Sequence, residues 1–327
     1  MKERIFSGIQ PSGNIHLGNY LGAIKNWVKL QNDYDSIFCI VDLHAVTVPQ
    51  NPEELSRKTL EVAKLYLAAG INPEKSVIFI QSQVPEHAEL MWLLNTITKT
   101  SDLFKMTQFK DKSAKESMES VSSGLLNYPI LMAADILLYD TNLVPVGEDQ
   151  LQHIELTRKL GRKFNQQFGE TFVIPEGFTQ EEGKRIMGLD DPANKMSKSA
   201  PSQFNRIGIL DDEETITKKI MKAVTDSEQG IEYSDSKPAL KNLINIFSLV
   251  TDKKPEEIVA EFEDKGYKEF KEGLAGAIID FLKPVQEKYH QISDEEVKAI
   301  LKSGAEEAKK IAKIKVEEVK KKMGMII

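Results

Sequence analysis

Apolar residues in the first half of the chain fall into short continuous runs that alternate with helical patterns. Three such runs predict buried strands at residues 5–9, 37–41 and 77–80. Between the second and third runs, Asn51 followed by Pro52 marks a helix start. Strands that alternate with helices in this way predict an α/β fold built on a doubly wound parallel, Rossmann-like sheet.

Ligands of such sheets bind at the carboxyl ends of the strands. The segments that follow the three predicted strands are residues 10–19, 42–44 and 81–83. A fourth predicted strand, residues 143–146, opens into a second strand-to-helix turn at residues 147–150. We therefore expect these polar segments at one rim of the sheet.

Residues 124–139 are almost entirely apolar and predict a buried helix that starts near Pro129. Asp135 lies in the middle of this run, where a carboxylate is costly unless it is paired or hydrogen-bonded. Residues 85–123 have the pattern of a helical insertion, and we expect part of the polar stretch 102–123 to be mobile.

The second half of the chain repeats helical patterns almost without interruption. They lie at residues 211–224, 238–250, 255–262, 267–289, 294–301 and 305–323, the last two preceded by capping-box pairs Ser293/Glu296 and Ser303/Glu306. We expect a catalytic domain at residues 1–190 and an all-helical domain, entered by a loop, at residues 191–327.

Composition narrows the class of protein. With 41% hydrophobic and 28% charged residues among 327, the chain reads as an ordinary globular protein without a membrane span. The single cysteine, Cys39, excludes an internal disulfide and suits a reducing cytoplasm. A net charge of −7 argues against a general DNA or RNA binder, so RNA contact needs a local basic face. Residues 302–322 carry eight lysines and four glutamates, and are either that face or a solvated helix surface laced with ion pairs.

Two stretches carry candidate phosphate chemistry. Lys195 and Lys198 place two ammonium groups three residues apart in a predicted loop, where they can clamp a polyphosphate. An isolated pair of this kind is more often a solvated turn. However, the first predicted helix begins with Gly18, flanked by His16 and Asn19, and helix N-termini bind anions. We expect the two stretches to face each other across one nucleotide.

The amino-acid sequence of these stretches resembles that of a known family. Residues 11–13 followed by His16-Leu17-Gly18-Asn19 resemble the "HIGH" element of class I aminoacyl-tRNA synthetases, with Asn19 in place of its last histidine. Residues 195–199 are identical to the paired "KMSKS" element. Residues 6–13, 132–137 and 144–150 are similar to bacterial-type tryptophanyl-tRNA synthetases in particular.

The resemblance implies an ATP site and its catalytic residues. The implied ATP contacts are Gln10, Pro11, Ser12, His16, Gly18, Asn19, Gly147, Glu148, Asp149, Ile186, Lys195, Met196, Ser197, Lys198 and Ser199. The implied catalytic residues among them are Gln10, His16, Asn19, Lys195 and Lys198. ATP is a substrate, with Mg²⁺ held mainly by its phosphates, and no protein metal site is expected.

The resemblance also implies a tryptophan pocket in which Asp135 accepts the indole N–H, the only hydrogen-bond donor of that side chain. The other implied contacts are the apolar Phe6, Met132, Val144 and Val146 and the polar Gln150, Tyr128 and His44. The implied reaction activates L-tryptophan to its adenylate with release of pyrophosphate, then transfers it to the 3′ end of tRNA(Trp). The family also implies a homodimer, and anticodon contact by the helical domain, so deletion beyond Leu301 is expected to weaken tRNA binding alone.

Three alternatives stay open at this point. A tyrosyl-tRNA ligase has the same fold, and an aspartate can equally serve a phenol. A nucleotidyltransferase with an H-x-G-H-like turn transfers AMP to a small phosphorylated acceptor. A non-catalytic RNA-binding relative would not need both Lys195 and Lys198.

Overall fold

The computed structural model describes residues 2–107, 109–110, 122–178, 186–198, 200–226 and 230–327. The chain forms two compact units. The first, here the sheet unit, comprises Met1–Ser12, Val28–Gln180 and Ser293–Ile327; the second, the loop unit, comprises Gly13–Trp27 and Glu181–Ile292. None of the described helices is long and apolar enough to cross a membrane. Within the predicted insertion at residues 85–123, residues 108 and 111–121 lie outside the described residues, and with them part of the stretch 102–123 in which mobility was expected.

The sheet unit is built on five parallel strands. They are β1 (Arg4–Ile9), β2 (Asp35–Ile40), β3 (Ser76–Ile80), β4 (Leu143–Pro145) and β5 (Glu176–Phe178). Their order is β3-β2-β1-β4-β5, so the chain winds outward from β1 in one direction and then in the other. The predicted parallel, doubly wound sheet is confirmed. The sequence analysis missed β5, which is only three residues long and has no apolar run.

The helices follow in chain order. They are α1 (Leu17–Asn19), α2 (Lys25–Leu30), α3 (Asp42–Ala45), α4 (Pro52–Ala69), α5 (Glu86–Ile97), α6 (Thr100–Leu103), α7 (Ser123–Leu137), α8 (Leu151–Phe168), α9 (Glu213–Lys222), α10 (Pro238–Thr251), α11 (Pro255–Glu261), α12 (Tyr267–Gln291) and α13 (Asp294–Lys322). A π-helix, Tyr20–Ile24, joins α1 to α2 where the sequence predicted one regular helix. The predicted start of α4 is confirmed, since the Asn51 side chain accepts from the backbone N of Glu54 at 3.0 Å.

Helix α7 starts earlier than its sequence suggested. It begins at Ser123, with the Ser122 hydroxyl accepting from the backbone N of Leu125 at 3.2 Å, and Pro129 lies inside it. A proline at this position removes one backbone hydrogen bond and disfavours a helix. Burial of Leu125, Ile130 and other residues of α7 in the main core outweighs that cost, so the prediction of a start near Pro129 was wrong.

The C-terminal residues form one helix rather than two. Helix α13 runs through Ser303 and Gly304, so the capping box predicted at Ser303 was wrong, whereas Ser293 does cap the helix. Gly304 sits so close to β3 that an added Cβ would lie 2.0 Å from the carbonyl oxygen of Ile78. This close approach explains the glycine as a packing residue instead of a helix break.

Helix α13 therefore belongs to the sheet unit. It packs against β3, α4 and α5 and buries Ala308, Ala312, Val316 and Val319 in the main core. The unit boundaries thus differ from the division at residue 190 that the helical patterns of the second half suggested. Deletion beyond Leu301 would remove core residues, so we expect it to destabilise the sheet unit, and the expected effect on tRNA binding stays a prediction.

Ion pairs occupy part of the lysine-rich surface of α13. Lys315 Nζ lies 2.8 Å from Asp140, and Lys320 Nζ lies 2.9 Å from Glu89. Both contacts join α13 to other helices or loops of the sheet unit. The exposed lysines of the basic stretch are Lys302, Lys309, Lys310, Lys313 and Lys321.

Candidate active site

Two of the segments predicted at one rim of the sheet, residues 42–44 and 81–83, meet at Asp135. His44 lies in α3, directly after β2, and Gln81 directly follows β3. Both side chains reach the carboxylate of Asp135 on α7, which is only 2% exposed. The carboxyl ends of two neighbouring strands and a buried helix thus build one polar site, as the strand pattern predicted.

Three side chains hold the Asp135 carboxylate. Its Oδ1 lies 2.7 Å from Gln81 Nε2 and 2.6 Å from His87 Nδ1. Its Oδ2 lies 2.7 Å from His44 Nε2. The cost of burying a carboxylate in an apolar helix is therefore offset by hydrogen bonds from the sides of the pocket.

These contacts keep Asp135 ionised. Burial alone raises the pKa of its carboxyl, but His44 and His87, by charge and hydrogen bonding, outweigh burial and lower the pKa to about 2. An ionised carboxylate only accepts hydrogen bonds. Asp135 is therefore an acceptor at neutral pH, as a role toward an indole N–H requires.

The four apolar residues predicted for a tryptophan slot lie in or against the main core of the sheet unit. Phe6 and Val144 are buried in the main core, and Met132 and Val146 are partly buried against it. The Phe6 ring stacks on Tyr139, with ring centroids 5.7 Å apart and planes inclined by 10°. The four apolar residues predicted for a tryptophan slot thus share one core with Asp135, and their roles toward a ligand stay predictions.

The polar residues predicted near the amino acid divide into two groups. His44 and Tyr128 are neighbours whose rings meet edge to face at 6.2 Å, and the Tyr128 hydroxyl lies 2.9 Å from His153 Nε2. Burial raises the pKa of Tyr128 to about 12, so its hydroxyl stays protonated. Gln150 lies farther along the rim, where its amide donates to Asp149 at 3.0 Å.

Further ATP residues predicted from the sequence also lie in the sheet unit. Gly147, Glu148, Asp149 and Gln10 are exposed. At Gly147 an added Cβ would lie 2.9 Å from Asp149 Oδ1, the end of an exposed side chain that can move aside. Pro11 and Ser12 continue from β1, with Pro11 buried. The roles of all six toward ATP remain predictions.

The loop unit contains the other predicted phosphate residues, beginning with the start of α1. His16 is the N-cap of this helix: its Nδ1 accepts from the backbone N of Asn19, and Asn19 Oδ1 accepts from the backbone N of His16, both at 3.3 Å. His16 is 3% exposed. Burial, and then the positive charges of Lys198, Arg206 and Lys195, lower the pKa of His16 to about 3.

The lowered pKa and the capping hydrogen bond together define the protonation state and tautomer of His16. The ring is neutral at pH 7, and because Nδ1 accepts the capping hydrogen bond, the proton is on Nε2. His16 therefore offers a neutral N–H donor next to two lysines, which suits a phosphate oxygen. Gly18 follows it; an added Cβ there would lie 3.1 Å from the His16 ring and 3.6 Å from Met196 Sδ.

The loop of residues 195–206 is fixed at both ends. At its start, Lys195 pairs with Met187 in an antiparallel bridge, and the backbone N of Met196 donates to the Ile186 carbonyl at 3.1 Å. After its end, Ile207 and Ile209 bond to Leu17 and Ile15 on either side of His16. The segment that follows the loop is thus joined by backbone hydrogen bonds to the start of α1, within one unit.

Lys198 lies where that pairing predicts. Its Cβ would be 3.4 Å from a Cβ added to Gly13, whose φ of +63° favours glycine. Lys195 is exposed, and Lys198 and Ser197 are half-buried. Ile186 is buried, and its carbonyl already accepts from Met196. Ser199 lies outside the described residues, so its predicted ATP contact is not placed.

Sequence reasoning missed the residues that hold these groups. Asn205 accepts from the backbone N of Ser197 at 3.2 Å and donates to Asp190 at 2.7 Å. Arg206 donates to the carbonyls of Ser197 and Ala200, each at 3.3 Å. His87 on α5 contacts Asp135, yet its helix shows only apolar periodicity around it. Only Gln81 carried a signal, its place at the end of a predicted strand.

Among the residues that the structure describes, no cluster of three or more His, Cys, Asp or Glu side chains is arranged to hold a metal ion. The sheet unit thus contains one buried anion with its hydrogen-bond donors, and the loop unit contains a group of cations and amides.

Comparison with known proteins identifies close relatives. The family model of class I tRNA synthetases (W and Y) matches residues 2–283. The chain is 54% identical to the tryptophan–tRNA ligase of Caldanaerobacter subterraneus subsp. tengcongensis over 326 residues, covering 99% of each chain. It is 52% identical to that of Helicobacter pylori over 325 residues, again covering 99% of each.

Solved structures give the same result. The tryptophanyl-tRNA synthetase of Mycoplasma pneumoniae superimposes with a TM-score of 0.92 at 34% identity, covering 100% of this chain and 99% of that one. The Campylobacter jejuni enzyme, crystallised with ADP and tryptophan, superimposes with a TM-score of 0.86 at 39% identity, covering 98% and 100%.

Proposed function

We propose that this chain is a tryptophan–tRNA ligase, since it belongs to the class I tRNA synthetases for tryptophan and tyrosine. It activates L-tryptophan with ATP, releases pyrophosphate and transfers the activated amino acid to tRNA(Trp). Full-length identity of about half to tryptophan–tRNA ligases supports this activity over the tyrosyl, nucleotidyltransferase and non-catalytic alternatives.

The structural observation that supports an amino acid with a hydrogen-bond donor on its ring is the ionised Asp135 carboxylate, and the full-length identity to tryptophan–tRNA ligases favours tryptophan over tyrosine. It is buried, it only accepts hydrogen bonds, and it shares a core with four apolar residues. An indole N–H satisfies it, whereas phenylalanine leaves it without that donor. A site built to bond a substrate N–H can reject an analogue without one by roughly 10⁴-fold or more.

Activation needs alignment and charge more than proton transfer. The carboxylate of the amino acid is already a nucleophile, so its oxygen attacks the α-phosphorus of ATP and the bond to pyrophosphate breaks. We assign Lys195 and Lys198 to the charge that develops on the leaving pyrophosphate, with the Nε2–H of His16 and the amide of Asn19 as neutral donors. Such preorganised donors commonly contribute on the order of 10²-fold or more in rate each.

The remaining parts of the proposal concern partners. Mg²⁺ would enter with ATP, held mainly by phosphate oxygens, and would add positive charge at the triphosphate. The helical residues of the loop unit would contact the anticodon of the tRNA, and the exposed lysines of α13 are a second candidate RNA surface. We also propose a homodimer, since Trp92 on α5 is 64% exposed and a second copy could cover it. Cytoplasmic location suits the buried free Cys39.

The decisive experiment is isotopic exchange of pyrophosphate into ATP by the purified protein. Exchange is expected with L-tryptophan and not with L-tyrosine, and charging of tRNA(Trp) is expected in the same preparation. Exchange that depends on tyrosine, or no exchange with either amino acid, would overturn the proposed function.

A further inference from the structure

His87 is a buried polar residue to which the proposed reaction assigns no task. It lies in the first turn of α5, is 0% exposed and touches the rings of Phe79 and Tyr139. Its two nitrogens face two different partners, Asp135 Oδ1 at 2.6 Å and the Tyr139 hydroxyl at 2.8 Å. A buried imidazole bonded on both sides is fixed in one orientation.

The direction of the bond between His87 and Asp135 follows from the carboxylate. Since that carboxylate is ionised, the Nδ1 of His87 must donate to it. The Nε2 on the other side of the ring is bonded to the Tyr139 hydroxyl at 2.8 Å. Burial raises the pKa of Tyr139 well above its usual value, so that hydroxyl retains its proton. The imidazole is thus held between Tyr139 and Asp135.

Tyr139 is itself held in place. It is 0% exposed, stacks on Phe6 and meets Phe79 edge to face at 6.0 Å. Phe6 comes from β1, Phe79 from β3, and Tyr139 from the end of the α7 segment. The orientation of His87 is thus set by the strands on either side of β2.

The two oxygens of Asp135 accept different numbers of hydrogen bonds. Oδ1 accepts from both Gln81 and His87, and Oδ2 accepts from His44. A carboxylate has about four lone-pair sites, so the acceptor left over is on Oδ2. Turning the carboxylate would break both bonds to Oδ1, and the free acceptor therefore has a fixed direction.

We propose that His87, oriented by Tyr139, is a positioning residue for tryptophan recognition: it fixes Oδ1 of Asp135 so that Oδ2 presents its remaining acceptor to the indole N–H. This inference rests on the proposed function and adds to it a residue that does not touch the substrate. Without His87, Asp135 keeps its place on α7 but loses one of the three hydrogen bonds that hold its carboxylate, and one of the two on Oδ1.

The test compares two amino acids that differ only at the donor. L-3-Benzothienylalanine has the shape of tryptophan with sulfur in place of the indole N–H. Wild type and His87→Leu are measured by pyrophosphate exchange with each, and the ratio of kcat/KM values gives the selectivity for the N–H. We expect His87→Leu to lower this ratio about tenfold or more, mainly through tryptophan.

Two further variants separate positioning from packing. His87→Asn can keep an N–H donor near the Nδ1 position, and we expect it to retain most of the selectivity that His87→Leu loses. Tyr139→Phe removes only the hydroxyl, and should lower the selectivity severalfold. His290→Leu, at an exposed histidine of α12, is the matched control and should change nothing.

The outcomes distinguish this inference from the proposed function. Wild-type protein without tryptophan-dependent exchange contradicts the function itself, before any variant is compared. With an active wild type, equal losses for both amino acids in His87→Leu and Tyr139→Phe would show that His87 only fills space, and would overturn the inference. If His87→Leu does not fold by circular dichroism, Tyr139→Phe and His87→Asn decide: unchanged selectivity in Tyr139→Phe, or full loss in His87→Asn, contradicts it.

Discussion

The Asp135 pocket of the sheet unit and the 195–206 loop of the loop unit solve opposite electrostatic problems. Asp135 is one buried anion whose hydrogen bonds come from side chains on three separate segments. The loop unit gathers Lys195, Lys198 and Arg206 near His16, and that group is fixed by backbone pairing and one asparagine.

The difference follows from what each region must bind. A single neutral N–H is recognised by direction, so the acceptor needs a rigid, desolvated setting. A triphosphate carries several charges, and cations can stabilise them while still exposed to water, as Lys195 is. We therefore expect changes in the pocket to alter which amino acid is used, and changes in the loop to alter how fast it is activated.

The largest effect is expected for the lysines of the loop. Lys195→Ala or Lys198→Ala should lower the rate of tryptophan activation by about 10²-fold or more, since each removes a donor used mainly in the transition state. Tryptophan affinity, measured by calorimetry, should change little. Lys218→Ala, at an exposed lysine of α9, is the control. Equal losses in affinity and rate would contradict the assignment.

A change at Asp135 should instead alter the use of tryptophan and leave the use of ATP nearly unchanged. Asp135→Asn keeps the shape but removes the charge that orders His44, His87 and Gln81 around it. We expect kcat/KM for tryptophan to fall about 10²-fold while the KM for ATP stays within about threefold, because a buried acceptor is lost. Steady-state exchange kinetics measure both constants. A loss confined to the ATP constants would remove the distinction between the two regions.

A smaller effect is expected for the asparagine that supports the loop. Asn205 joins Ser197 to Asp190 and is 5% exposed, and its amide lies where a Cβ on Gly188 would be. Asn205→Ala should lower the activation rate about tenfold without removing any charge. Asn242 provides a second test at the start of the loop. Its amide bonds the backbone of Met187, the residue paired with Lys195, through both the oxygen and the nitrogen. Rates at wild-type level in Asn205→Ala would show that backbone pairing alone is sufficient.

The smallest effect concerns the pH dependence of stability. The pKa of His16 is lowered to about 3 in the folded state, below its ordinary 6.5. The unfolded chain therefore binds a proton that the folded chain does not, and the free energy of unfolding falls as the pH drops below about 6.5. Between pH 7.5 and 5.5, the free energy of unfolding measured in urea should fall by about 1 kcal/mol less in His16→Gln than in wild type. An identical decrease in both proteins would contradict a buried neutral His16.

Much of the site was predictable because its residues are close in sequence to strand ends or to each other. The rim residues His44 and Gln81 follow apolar runs, and parallel strands bring such ends together. Asp135 was conspicuous as the one carboxylate in an apolar helix. The two phosphate stretches were recognisable as short motifs, and their residues have fixed spacing along the chain.

The sequence by itself determined the parallel sheet, the position of Asp135 and the presence of paired lysines, because these depend on local periodicity and residue type. Tertiary structure alone decided that His87 and Tyr139 support Asp135, that Asn205 supports Ser197, and that α13 continues past Gly304 to pack on β3. Each of these is a contact between distant parts of the chain. Such contacts leave no local sequence pattern. A histidine in an apolar helical segment, or a glycine in any helical segment, gives the same pattern whatever packs against it.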